Sequence, residues 1–171
     1  LGDVYKRQAY RQGRYDEAEQ EMIQALGMDP EQADWHDELG LVYLAQRKYL
    51  EALESFLAAR TLAPENPLHA VHAAQAYAGL GRLEEAIVAL QEAIERAPDR
   101  APWHDELAAL YIQAGRYREA RLELERALEL APGDPTVRIH LAAALREEGR
   151  LQEAQEILTG LVQDQPGRAE T

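Results

Sequence analysis

Prolines stand at Pro30, Pro64, Pro98, Pro132 and Pro166, each 34 residues after the last. A fixed step of that length over most of a 171-residue chain means that one small unit is made again and again. Its copies must stack to bury what no copy can bury alone. Other positions keep the same step. Ala18, Ala52, Ala86, Ala120 and Ala154 share it, as do Ala25, Ala59, Ala93 and Ala127 until Leu161 takes the fifth place. Gly13, Gly81, Gly115 and Gly149 recur in register too, with Arg47 as the exception.

The unit is clearest from Ala101 to Pro132, APWHDELAALYIQAGRYREARLELERALELAP. Apolar residues fall at Trp103, Leu107, Leu110 and Tyr111, then at Tyr117, Ala120, Leu124, Ala127, Leu128 and Leu130. That is helical spacing on both sides of an interruption. The interruption is Ala114-Gly115-Arg116, where glycine can take the left-handed conformation that closes a helix and lets the chain reverse. Pro132 ends the second helix, because it lacks an N–H and restricts the residue before it. The unit is an antiparallel helical hairpin, with Ala108, Ala120 and Ala127 leaving room for larger neighbours such as Tyr111 and Leu124. Applied along the chain, the pattern predicts helices over 15–28, 33–45, 49–62, 67–80, 83–96, 102–114, 117–130, 135–148 and 151–163. Pro67, Pro102 and Pro135 fall in first turns, where a missing N–H costs least.

These residues resemble the tetratricopeptide repeat family. The second repeat reads Trp35, Leu39, Gly40, Tyr43, Tyr49, Ala52, Phe56, Ala59, Pro64, and the fourth reads Trp103, Leu107, Ala108, Tyr111, Tyr117, Ala120, Leu124, Ala127, Pro132. The third repeat is plainer, with Ala73, Ala74, Tyr77, Gly81, Ala86, Leu90, Ala93 and Pro98; the fifth has Leu141, Ala142, Leu145, Gly149, Ala154, Leu158 and Pro166. The resemblance implies an all-α, right-handed superhelical solenoid of about four and a half to five hairpins. It gives a single array over 9–166, divided as 9–32, 33–66, 67–100, 101–134 and 135–166, with a tail at 167–171. Arg47 in place of glycine, Leu161 in place of alanine and the lack of an aromatic residue in the last repeat depart from the family pattern.

The start of the chain falls outside this register. Leu1 is not a methionine, and Asp3-Val4-Tyr5-Lys6-Arg7-Gln8 matches the translated mosaic end of a transposon sequencing adaptor, so residues 1–8 are expected to be non-native. On that expectation the chain is a fragment of a longer protein. The 18 basic residues include just two lysines, Lys6 and Lys48. Arginine preference with abundant Ala, Leu and Gly is the usage of a GC-rich bacterial genome.

Charge and composition narrow the function. A net charge of −13 argues against nucleic acid, whose binding needs clustered Lys and Arg to displace counterions, and against anionic membrane surfaces. Without cysteine there are neither disulfides nor thiolate metal sites, and the compartment stays undetermined. No apolar run approaches the ~20 residues that span a bilayer. No nucleophile elbow, phosphate loop or metalloprotease signature occurs, and pairs such as Glu84-Glu85 and Glu147-Glu148 read as solvated helix faces. The chain is expected not to be an enzyme and to need no cofactor.

The pentapeptide Trp-His-Asp-Glu-Leu occurs twice, at 35–39 and 103–107. Adjacent residues on a helix point in different directions, so it is read as a duplicated two-repeat unit with Trp in the core and His on the helix surface. His69 and His72 have ligand spacing, yet zinc needs three or four ligands and no third partner is evident; no metal is expected.

In the family, the first helices line a concave face where ligand peptides bind, through positions two, five, nine and twelve of the unit. Here those are Asp34, Asp37, Leu41 and Leu44; Leu68, Val71, Gln75 and Ala78; Pro102, Asp105, Ala109 and Ile112; Thr136, Ile139, Ala143 and Arg146. The lysines and asparagines with which co-chaperone members clamp a carboxylate terminus are missing. Apolar positions flanked by Asp37 and Asp105 suit a protein or peptide segment with apolar anchors and a basic residue or two. The resemblance implies a non-catalytic scaffold for such a partner, or alternatively the substrate-recruiting arm of a larger glycosyltransferase or kinase. At the far end, Leu158, Leu161 and Val162 lack a polar capping helix over them, so self-association through uncapped ends is a further expectation.

Overall fold

The structure, a computed structural model, describes residues 14–163 of the 171. The expectations for residues 1–8, for the first helix of the first repeat and for the tail at 167–171 lie outside the described residues. Within them are nine helices and no strand. They are α1 (Tyr15–Met28), α2 (Ala33–Ala45), α3 (Tyr49–Leu62), α4 (Pro67–Gly79) and α5 (Leu83–Arg96), then α6 (Ala101–Gln113), α7 (Tyr117–Leu130), α8 (Pro135–Glu147) and α9 (Leu151–Gln163). Boundaries follow the sequence pattern within one residue. Helices α4 and α8 stop one residue early because Leu80 and Glu148 already serve as C-caps.

The chain divides into two compact units, Leu1–Arg96 and Ala97–Thr171. In the first, α2 pairs with α3 and α4 with α5, α1 lies against α2, and α3 lies against α4. The first helices α2 and α4 also touch. Its core is Ala52, Leu53, Phe56, Ala73 and Ala76, with Leu41, Tyr43, Leu44, Leu57, Tyr77 and Leu80 packed round it. In the second unit, α6 pairs with α7 and α8 with α9, α7 lies against α8, and the first helices α6 and α8 touch. Leu107, Ala108, Tyr111, Leu124, Ala127, Leu141 and Leu145 are buried there.

The repeated turn explains the hairpins. Gly81, Gly115 and Gly149 have φ of 73°, 73° and 82°, and Arg47 takes the same conformation at φ 59°. The next residue's N–H reaches back five positions, Lys48 to Tyr43 O at 2.9 Å and Arg116 to Tyr111 O at 2.8 Å. With the bond from the turn residue itself, Arg47 N–H to Leu44 O and Gly115 N–H to Ile112 O, each at 3.0 Å, it satisfies the last carbonyls of the helix as the chain reverses. The cation after the turn then lies over the tyrosine ring, Arg82 at 4.9 Å from Tyr77 and Arg116 at 4.6 Å from Tyr111. Helix starts are secured where the sequence allows. Asn66 caps α4 by accepting from the Leu68 N–H at 3.1 Å, and Asp134 caps α8 by accepting from Thr136 at 2.8 Å.

Candidate functional site

The first helices carry all five histidines of the chain, and those histidines tie neighbouring elements together. In the first unit Asp37 of α2 accepts from two imidazoles of α4: His69 Nδ1 at 2.9 Å, and His72 Nδ1 at 2.9 Å to one carboxylate oxygen and 3.0 Å to the other. The His69 tautomer follows from its other neighbour. Asn66 commits its Oδ1 to capping α4, so its amide nitrogen, 3.2 Å from His69 Nε2, must donate there and leave Nδ1–H to face Asp37. Burial pushes the Asp37 carboxyl up, but the hydrogen bonds and charges of His72 and then His69 outweigh it and hold the group below the usual carboxylate range. The second unit repeats the motif with one imidazole: His140 Nδ1 of α8 donates to Asp105 Oδ1 of α6 at 2.7 Å.

The duplicated pentapeptide is thereby explained, and its histidines correct the surface reading. Nε2–H of His36 donates to Pro30 O at 2.8 Å, and that of His104 to Pro98 O at 2.9 Å, each fastening a first helix to the loop before it. His104 is buried, and its Nδ1 also lies 2.7 Å from Glu123 Oε2 on α7. Both nitrogens of His104 thus have a hydrogen-bonding partner. At the position equivalent to Glu123 the second repeat has Ser55, too short to reach, and its hydroxyl donates to Glu51 O instead. In each copy the pentapeptide's histidine holds the preceding loop and its aspartate holds the following first helix. These are hydrogen-bonded clamps with no nucleophile among them, and no group of three or more ligating residues among those described is arranged for a metal ion.

The expected ligand-facing residues divide by exposure. Asp34 and Leu68 are exposed in the first unit, while Asp37, Leu41, Leu44, Gln75 and Ala78 are half-buried. Leu41 and Leu44 pack on the core, and Val71 is 4% exposed and contributes to packing rather than to the surface. In the second unit Pro102, Thr136, Ile139 and Arg146 are exposed, and Asp105, Ala109, Ile112 and Ala143 are half-buried. Arg146 pairs with Glu147 at 2.8 Å. Asp37 and Asp105 are engaged by imidazoles, so Asp34 is the acidic member of the set that stays exposed. Sequence reasoning weighed His69 and His72 as metal ligands alone, and passed over His140 and Glu123. The available signal was the common spacing of 35 residues between Asp37 and His72 and between Asp105 and His140. No helix among the described residues is long and apolar enough to cross a membrane.

Comparisons with known proteins agree with this architecture. Sequence profiles described as the tetratricopeptide repeat match residues 7–67 and 38–102, and a further one matches 111–170. A search of curated proteins returned no match. Among solved structures, the chain is similar to a crystal structure of MamA, with 20% identity, a TM-score of 0.87 and 97% of each chain covered. It is likewise similar to MamA 41-end from Desulfovibrio magneticus RS-1, at 15% identity and a TM-score of 0.88, covering 98% of this chain and 95% of that one. A thermophilic tetratricopeptide protein of Thermus thermophilus, TTC0263, matches at 26% identity and a TM-score of 0.71, covering 96% of this chain and 90% of that one. By its register of 34 residues, its left-handed turns and profile matches that extend over more than half its length, the chain belongs to the tetratricopeptide repeat family.

Proposed function

We propose that this chain is a non-catalytic scaffold for protein–protein interaction and that its first helices present the contact surface. The repeat fold supports the scaffold role in general. The observation that carries the finer reading is that two of the expected ligand-facing positions on the first helices hold uncovered large apolar side chains: Leu68 is 45% exposed on α4 and Ile139 51% on α8. In the first unit the surface comprises Asp34, Leu68 and the half-buried Asp37, Leu41, Leu44 and Gln75, with Val71 behind them. In the second it comprises Ile139 and Arg146 with the half-buried Asp105, Ala109 and Ile112. Apolar anchors beside carboxylates, on a chain of net charge −13, suit an amphipathic or extended partner segment with apolar side chains and a basic residue or two.

A peptide array probed with the intact chain tests this. Peptides retained by the wild type should lose binding to Leu68→Glu and Ile139→Glu, and keep it with Leu122→Glu, a substitution on the second helix α7 where the leucine is 55% exposed. Binding that disappears only with Leu122→Glu would move the contact surface to the second helices and overturn the reading.

A further inference from the structure

The chain repeats every 34 residues in sequence but every 68 in the contacts of its first helices. Asp37 and Asp105 are one such step apart, and so are their clamping imidazoles His72 and His140. The loop anchors His36 and His104 keep it too. So do the helix caps. Asn66 and Asp134, each followed by proline, accept from the backbone N–H two residues on, whereas α2 and α6 start without a side-chain cap. One long period therefore builds one pair of touching first helices, α2 with α4 in the first unit and α6 with α8 in the second.

Each pair leaves one large apolar side chain uncovered. Among the described residues, Leu68 and Ile139 are the exposed large apolar side chains on first helices, one in each unit. They hold the second and fifth positions of their hairpins, three apart and so on one face of the helix. Each directly precedes a histidine, His69 or His140, tied to the aspartate of the neighbouring first helix, so the clamp fixes the helix that presents it. The pairs differ in one charge. Asp34 is exposed on α2, at the hairpin position that Leu68 holds on the touching helix α4, and Pro102 takes its place on α6. In the second unit Asp105 is engaged by His140, and Arg146 is offset by Glu147.

We infer that the chain carries two separate sites, one in each unit, each taking one partner segment by a single apolar side chain. The first-unit site alone also reads a cation beside that side chain, through Asp34. This rests on the first-helix surface proposed above. On an array, neighbouring immobilised peptides engage both sites of one chain, and losing either site forfeits that joint hold; in free solution the two sites are counted separately. Calorimetric titration of the intact chain with an array-retained peptide that has one apolar anchor and one arginine tests this, with helical content followed in parallel. The wild type should bind two equivalents, and Leu68→Glu and Ile139→Glu one each, with unchanged helicity. Asp34→Lys should weaken one equivalent several-fold and leave the other as it was; its side chain is exposed, so it reports on the first site even if Leu68→Glu fails to fold. A single equivalent that either glutamate substitution abolishes overturns the two-site inference and leaves the first-helix surface standing. Two equivalents that both survive Leu68→Glu and Ile139→Glu overturn the inference and the surface together. No effect of Asp34→Lys on either equivalent overturns the assignment of the cation to the first site.

Discussion

At the scale of single residues, the best-defined interaction is a trade of volume between the two helices of a hairpin. The chain has one phenylalanine, Phe56, and a Cβ placed on Gly40 would run into its ring. The third, fourth and fifth repeats put Ala74, Ala108 and Ala142 at the Gly40 position and Leu90, Leu124 and Leu158 at the Phe56 position. Gly40→Ala should therefore cost ~1–3 kcal/mol through overpacking, and adding Phe56→Leu should recover much of it, with a coupling of about 0.5–3 kcal/mol in a urea-unfolding cycle. Strict additivity would mean that the ring does not depend on the missing methyl. Arg47 offers the opposite test. Its left-handed conformation costs ~1–2 kcal/mol for a residue with a Cβ, and glycine's added freedom when unfolded takes back ~0.4–1 kcal/mol. Arg47→Gly should raise Tm by about 2–4 °C, and an unchanged Tm would contradict this reading of the turn. Arg47 was legible in the sequence, because a strict period shows which residue departs from its column, whereas the fit of the Phe56 ring over Gly40 emerged with the structure.

At the scale of elements, the helices and their turns could be read from spacing alone, but the clamps between them could not. The Asp37–His72 and Asp105–His140 pairs span 35 residues, one more than the period, because the contact crosses between adjacent first helices instead of joining equivalent positions. Spacing alone does not reveal whether a carboxylate on a helix surface faces solvent or the next helix. The division of ligand-facing candidates into exposed Leu68 and buried Val71 was hidden for the same reason. The clamp also sets a pH dependence. The folded state holds the Asp37 carboxyl below its ordinary range, so the stability it contributes is present above the unfolded value near ~3.9 and is lost as pH falls through the folded value. The stability gap between wild type and Asp37→Asn should be full at neutral pH and shrink on acidification below about pH 4. A gap that widened there would show that the histidines do not favour the carboxylate.

At the scale of the whole molecule, the repeat register directs the burial of one hairpin into the next within each unit, and the proposed function rests on surfaces in place of reactive groups. The first helices of both units combine rigid positioning by carboxylate–imidazole clamps with uncovered apolar side chains. A rigid, pre-organised surface loses less entropy on binding, which is why the exposed residues on these helices carry the proposed function. The most direct measurement is backbone amide chemical-shift mapping of the intact chain as a peptide selected on the array is titrated in. The account predicts that the largest shifts fall on α2, α4, α6 and α8, led by the surroundings of Leu68 and Ile139. Shifts concentrated on α3, α5 and α7, with the first helices unmoved, would contradict it.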